Sequence, residues 1–250
     1  MRRDHGNGTR VHVPSALGAG AIVPLPAAAA HHVARVLRAS VGDKLTVFDG
    51  SGAEFAATIA RIGKDGVSVK LAAGHALSRE SPVACRLAQA ISSGERMDLT
   101  LQKAVELGVT AVQPLYSERS VVRLDAARAE KRVEHWRQVM IAACEQCGRN
   151  TIPEIATPQP ILEWLGALPA AGPDEHRVLL SPHAGQRLQE LPRPAAVTLL
   201  AGPEGGFSAI EADSAGRHGF VAVRLGPRIL RTETAALAAL AAMQTLWGDF

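Results

Sequence analysis

Cysteine and aromatic residues are scarce in this chain of 250 residues, which has three Cys, five Phe, three Trp and one Tyr. Cys85, Cys144 and Cys147 are too few and too oddly numbered to form a disulfide framework in a chain this long, which fits a reducing compartment. With aromatics at 4%, base stacking has little to draw on, so nucleic-acid contacts would rest on phosphate and shape. No apolar run approaches the roughly 18 residues of a membrane span. The opening MRRDHGNGTR has basic residues but no hydrophobic segment behind them, and a cytoplasmic location is expected. Internal repeats and low-complexity tracts are absent as well.

What is present is a globular composition, 47% hydrophobic, enough to build a substantial core in one large or two smaller domains. The net charge of +3 is only mildly basic, but it is unevenly spread. Residues 1–75 hold nine Lys/Arg against five acids, and the remainder holds 18 against 19. Five of the nine histidines also lie in the first 75 residues, which makes that third the place to seek phosphate contacts. A solvated basic face explains the charge equally well.

The first third reads as short strands at Leu45–Gly50, Glu54–Ile62 and Gly66–Ala72, with Asp-Gly turns supplying the positive φ of tight hairpins. One helix is expected over Ala27–Ala39. On it His31, Arg35 and Arg38 share a face, being four and then three residues apart. The polar stretch Gly74–Ser81 reads as a linker. Beyond it apolar runs at 83–91, 111–115, 177–181, 196–201 and 220–225 alternate with helical stretches at 96–107, 127–144, 209–217 and 235–247. That alternation predicts an α/β domain with a parallel or mostly parallel sheet.

Two segments near the C-terminus carry most of the chemistry. LLAGPEGGFS (199–208) and LGPRILRTETAAL (225–237) each run from an apolar strand through a Gly/Pro turn into a helix. Such junctions place backbone N–H groups at the carboxyl edge of a sheet, where small ligands bind. In the first, Gly202, Gly205 and Gly206 permit a sharp turn, and Ser208 with Glu211 forms a capping box. The spacing matches neither a dinucleotide GxGxxG nor a GxxxxGK[ST] phosphate loop, which disfavours hydride transfer and nucleotide hydrolysis. An ordinary strand-to-helix turn explains the glycines but leaves Glu204 unaccounted for. In the second, Arg228, Arg231 and Glu233 precede an Ala/Leu helix that must be buried. Charges there must pair, as a structural Arg231–Glu233 interaction would, or bind something.

Other charged or ligating residues speak less clearly. Cys144-Glu145-Gln146-Cys147 is a CxxC, but zinc would need two further ligands, and a redox role would want the motif at a helix N-terminus. Neither is expected, and no metal is predicted. Glu95 and Asp98 suit the first turn of a helix, and Lys103 with Glu106, three apart, reads as a surface pair.

Taken together, six blocks resemble the RsmE family of ribosomal RNA methyltransferases: HHVARVLRASVGDKLTVFDGSG (31–52), ISSGERMDLTLQKAVELGV (91–109), QPLYSERSVV (113–122), IAACEQCGRNTIPEI (141–155), LLAGPEGGFS and LGPRILRTETA. These enzymes belong to the knotted SPOUT superfamily and use S-adenosylmethionine to methylate N3 of a uridine in the decoding region of 16S rRNA. The resemblance implies a PUA-like RNA-binding β-barrel over residues 1–75 and a dimerising domain with a trefoil knot over residues 76–250. It further implies a homodimer acting on 16S rRNA within an assembled small ribosomal subunit, with the active site at the subunit interface.

The cofactor residues implied are Ser181, Leu200, Gly202, Pro203, Glu204, Gly205, Gly206, Leu225, Gly226, Ile229, Leu230 and Thr234. Arg231 would stabilise a uracil anion, Glu233 would orient Arg231 or act as base, and Arg149 with Gln146 would position the target. Arg2, Arg10, Arg35 and Arg38 are the expected RNA contacts. The chain departs from the family in its run Arg10-Val11-His12-Val13, where members usually have an aromatic strand. Two other readings remain: a SPOUT enzyme acting on tRNA or a ribose 2′-OH, and an assembly factor without catalysis. Intact Gly202, Glu204, Gly205, Gly206, Arg231 and Glu233 argue against the latter.

Overall fold

The computed structural model describes residues 8–120 and 125–250, so the expectation for Arg2 lies outside the described residues. The chain divides into two compact units: Met1–Glu80 with Cys144–Ile152, and Ser81–Ala143 with Pro153–Phe250. The segment 144–152, read from sequence as part of the second domain, counts here with the first unit.

The first unit is built on a five-stranded sheet. Its strands are β1 (Arg10–His12), β2 (Ile22–Pro24), β3 (Lys44–Phe48), β4 (Ala53–Gly63) and β5 (Gly66–Ala76), in the order β1-β3-β4-β5-β2. β1 runs parallel to β3, and the other pairs are antiparallel. Strict alternation makes the core: Phe55, Ala57 and Ile59 on β4 and Val67, Val69 and Leu71 on β5 point inward, with exposed or half-buried residues between. β5 extends to Ala76 and so takes up the start of the expected linker.

The helix expected over 27–39 is shorter than its composition suggests. Helix α1 (Ala27–His31) passes into a π-turn over His32–Val36, and Arg38 adopts φ +53°. Leu37 N–H reaches back to the His32 carbonyl, and Ala39 N–H to that of Val33. Val33 and Ala39 both pack on the core. Six residues apart, they would lie on different faces of a regular helix, and the widened turn brings them to the same side. Arg38, left-handed and past the helix end, therefore does not share a helical face with His31 and Arg35.

The second unit holds a parallel sheet in the order β11-β13-β10-β12-β6-β7-β8. Its elements in chain order are β6 (Ala84–Ala90), α2 (Glu95–Glu106), β7 (Val109–Tyr116), α3 (Ala126–Cys147), β8 (Glu154–Ile155), β9 (Gln159–Pro160), α4 (Ile161–Ala167), β10 (Glu175–Leu180), β11 (Gln186–Arg187), β12 (Ala196–Ala201), α5 (Ala209–Arg217), β13 (Phe220–Arg224) and α6 (Thr232–Trp247). β9 pairs with β7, and every pairing is parallel. The central strands are nearly continuous apolar runs, as a sheet covered on both faces requires; Val197, Leu199, Leu200 and Ala201 of β12 are all buried. The chain goes from β12 through α5 to β13 by stepping over β10. This sets the carboxyl ends of β13, β10 and β12 side by side. No helix among the described residues is long and apolar enough to cross a membrane.

Candidate active site

A cavity of about 680 Å3 opens at that edge, walled by the loops that follow β10, β12 and β13 and by the start of α6. Its size lies within the range of small-molecule sites. Of the residues expected to hold a cofactor, all but Leu200 and Thr234 line it. Leu200 is buried in the sheet core, and Thr234 is exposed on the first turn of α6. The wall after β10 is set by Ser181, whose N–H donates to the Val223 carbonyl on neighbouring β13.

The turn after β12 is held from four sides. Gly206 has φ +68°, and its N–H closes the turn onto the Pro203 carbonyl at 2.9 Å. A Cβ on Gly202 would meet the Phe207 ring at 3.2 Å and push it back by a few tenths of an ångström, so glycine lets that ring close more tightly over the turn. Glu204 pairs with Arg96 at 2.6 Å, and Arg119 donates to the Gly205 carbonyl at 2.9 Å. Ser208 begins α5 with the expected capping box. Glu211 does more than cap, since its carboxylate also accepts from the Ser117 hydroxyl and the Glu118 N–H. At 2% exposure it is a buried carboxylate whose donors among the described residues are all neutral.

Arg96 and Arg119 both line the cavity, although sequence reasoning gave neither a role there. In the sequence Arg96 stands only at a helix start, and Arg119 only as one letter of the block QPLYSERSVV. With Arg228 and Arg231 they place four guanidinium groups on the cavity wall, against the carboxylates of Glu204 and Glu233.

Helix α6 begins at this wall. Arg231 takes the N-cap position, and Thr232 and Glu233 are the first helical residues. As its composition demands, the Ala/Leu helix buries Ala236, Ala239, Leu240 and Met243. Arg231 is exposed, and among the described residues it is not ion-paired to Glu233 and the buried Glu233 Oε2 has no hydrogen-bond partner. The helix N-terminus adds its positive end to the same wall. Ile229, 82% exposed, stands between Arg228 and Leu230.

These walls suit a nucleoside-bearing cofactor. Leu179, Phe207, Val223 and Leu230 supply apolar surface for a flat ring, and the glycine-rich turns expose backbone amides and carbonyls to its polar edges.

The remaining expected residues lie in the first unit. Arg149, 3% exposed, makes a two-pronged pair with Glu80 through Nε and Nη2. Arg10 donates to Glu54 at 2.7 Å and to Asn150 Oδ1 at 2.5 Å, and stacks over the Phe48 ring at 5.0 Å. Burial would raise the Glu54 carboxyl, but hydrogen bonds from Arg10, Arg79 and Asn150 outweigh it and hold the group down at about 2. Burial pushes Glu145 up against the opposing His12 N–H, which it accepts at 2.9 Å. The segment 144–152 is stitched into this unit by a bridge between Ser51 and Thr151 and by Asn150 donating to the Leu77 carbonyl. Gln146 is exposed at the end of α3, as are Arg35 and Arg38 in and after the π-turn. Cys144 is buried, which pushes its thiol up to about 12 and keeps it from thiolate chemistry.

The matches to known proteins follow this architecture. A family model described as an RNA methyltransferase domain matches residues 79–244, and one described as an RNA methyltransferase PUA domain matches residues 25–72. Fold and site thus define an RNA methyltransferase with a PUA-type N-terminal domain. The ribosomal RNA small subunit methyltransferase E of Buchnera aphidicola subsp. Schizaphis graminum is 36% identical over 241 residues, 96% of this chain and 97% of the relative. Its Bacillus subtilis namesake is 30% identical over 223 residues, 85% and 86% of the two chains. The crystal structure of the Neisseria gonorrhoeae namesake bound to S-adenosylmethionine superposes with a TM-score of 0.89 at 42% identity, covering 97% and 99%. A Legionella pneumophila structure with the same cofactor gives 0.90 at 40% identity, with the same coverage. The chain belongs to the ribosomal RNA small subunit methyltransferase E family.

Proposed function

We propose that this chain methylates N3 of a uridine in the decoding region of 16S rRNA, working in the cytoplasm as a homodimer on assembled small ribosomal subunits. In this reading residues 1–75 form the RNA-holding domain, and residues 76–250 form the catalytic, knotted SPOUT domain. The observation that carries it is the cavity at the ends of β10, β12 and β13, where glycine turns, a helix N-terminus, Arg231 and an unpartnered Glu233 oxygen meet.

S-adenosylmethionine, bound by the turns 202–206 and 225–230, supplies an electrophilic methyl group. What the chain must supply is geometry and charge. Holding the two reactants in line provides much of the acceleration by itself. The N3 proton must leave, and negative charge then spreads onto O2 and O4 of the uracil. Arg231 and the α6 N-terminus face that charge as donors that need no rearrangement. Glu233 Oε2, buried without a donor, accepts a hydrogen bond from N3–H and takes the proton. The exposed Arg119, Arg228 and Arg35 hold the phosphates of the flanking RNA.

The test is to incubate the protein with S-adenosylmethionine carrying a labelled methyl group and, in parallel, intact small subunits, naked 16S rRNA or tRNA. Label in the rRNA of intact subunits supports the reading; transfer to tRNA alone, or to no RNA, removes it.

A further inference from the structure

Between Arg231 and Glu233 lies a residue that the mechanism above does not use. Thr232 is 7% exposed and lines the cavity, yet its hydroxyl is turned inward. Gln89, at the end of β6 and itself buried, uses its amide nitrogen on two acceptors: the Ala90 carbonyl at 3.0 Å and Thr232 Oγ1 at 3.1 Å. Thr232 Oγ1 in turn donates to the Gly202 carbonyl at 2.5 Å. Because Gln89 Nε2 can only donate, the direction of this chain is fixed, and the hydroxyl proton is left for Gly202. The order is Gln89 to Thr232 to Gly202, joining β6, α6 and the turn after β12.

Gly202 begins the turn that holds the cofactor in the proposed function, and Thr232 sits one residue from both groups assigned to the uracil. We infer that Thr232 is a positioning residue: its hydroxyl, oriented by Gln89, clamps the glycine turn to the start of α6 and so sets the distance between the cofactor turn and Arg231 and Glu233. The clamp is specific to a hydroxyl. Valine has nearly the same shape but leaves the Gly202 carbonyl without its donor and the buried Gln89 N–H without its acceptor. Serine keeps the donor and loses only a methyl group. The turn's other fastenings, Glu204 on Arg96 and Arg119 on Gly205, hold its outer rim, and Thr232 alone ties its inner end to α6 among the hydrogen bonds of the described residues.

The catalytic part of this inference rests on the proposed function; the structural part does not, and the test separates them. Hydrogen–deuterium exchange of the cofactor-free protein follows the peptide spanning 201–208. Thr232→Val should exchange at least tenfold faster there, with the sheet strands unchanged, and Thr232→Ser should restore protection. On small subunits with saturating S-adenosylmethionine, Thr232→Val should lose about tenfold or more in kcat with little change in the KM for the subunit, again restored by Thr232→Ser. Gln89→Met, which keeps the Thr232–Gly202 bond but frees the hydroxyl to rotate, should lie between the two and keeps the test open if Thr232→Val does not fold. Unchanged exchange in folded Thr232→Val or Gln89→Met overturns the clamp. Faster exchange with wild-type kcat overturns the positioning role. A wild-type protein that methylates no rRNA counts against the proposed function and leaves the exchange result to decide the clamp.

Discussion

Arg149 and Arg231 are both arginines in charged segments near glycine, and they lead opposite lives. In the first unit Arg149 is buried and Arg10 half-buried, and their guanidinium groups engage Glu80, Glu54 and Asn150. At the cavity of the second unit Arg228 and Arg231 are exposed and bear on open space. A buried guanidinium that meets a carboxylate fixes structure, and removing it strands the partner charge. An exposed one beside a cavity costs little to keep and is available to a ligand.

The largest effect that would sharpen this contrast is on stability. Arg149→Ala leaves the Glu80 carboxylate without its two-pronged partner and is expected to cost roughly 3–5 kcal/mol in denaturant unfolding. If instead it unfolds like wild type and loses only turnover, Arg149 belongs with Arg231, and the contrast fails.

Next comes the acid response of the first unit. The Glu54 carboxyl is held at about 2 when folded and returns to its ordinary 4.5 when unfolded. A depressed carboxyl contributes stability that is complete above 4.5 and is lost as pH falls toward 2. Unfolding followed across that window should weaken steeply in the wild type and more shallowly in Glu54→Gln. Equal slopes would mean that the Arg10–Glu54–Arg79 cluster contributes nothing.

The smallest effect belongs to an open arginine given no part in the chemical step. Arg228→Gln should weaken binding to 16S rRNA several-fold and lower the slope of log K against log salt by about 0.7–0.9, one phosphate contact's share. An unaltered slope would take Arg228 out of the RNA contacts.

The same contrast explains what the sequence could and could not reveal. Strand alternation in β4 and β5, the Ala/Leu composition of α6 and the Ser208–Glu211 capping box are local patterns, and each element appears where its pattern predicts. The cavity-lining turns were legible because glycine and proline spacing records backbone geometry directly. The fates of Arg10 and Arg149 were not, because Glu54, Glu80 and Asn150 reach them from distant points in the chain. The helix expected over 27–39 erred for a related reason: packing of Val33 and Ala39 on the core overrode local helical propensity. Thr232 was hidden between two charged neighbours, and only its bond to Gly202 separates it from an ordinary helix start.

The central claim is that an exposed Arg231 beside the cavity serves methyl transfer to uridine N3. Mass analysis of nucleosides from small-subunit rRNA, treated with S-adenosylmethionine and either wild type or Arg231→Ala, tests it most directly. The account predicts 3-methyluridine from the wild type, and formation on the order of 10²-fold slower from a variant that still binds the cofactor. A 2′-O-methylated product, or 3-methyluridine formed by Arg231→Ala at near wild-type rate, would contradict it.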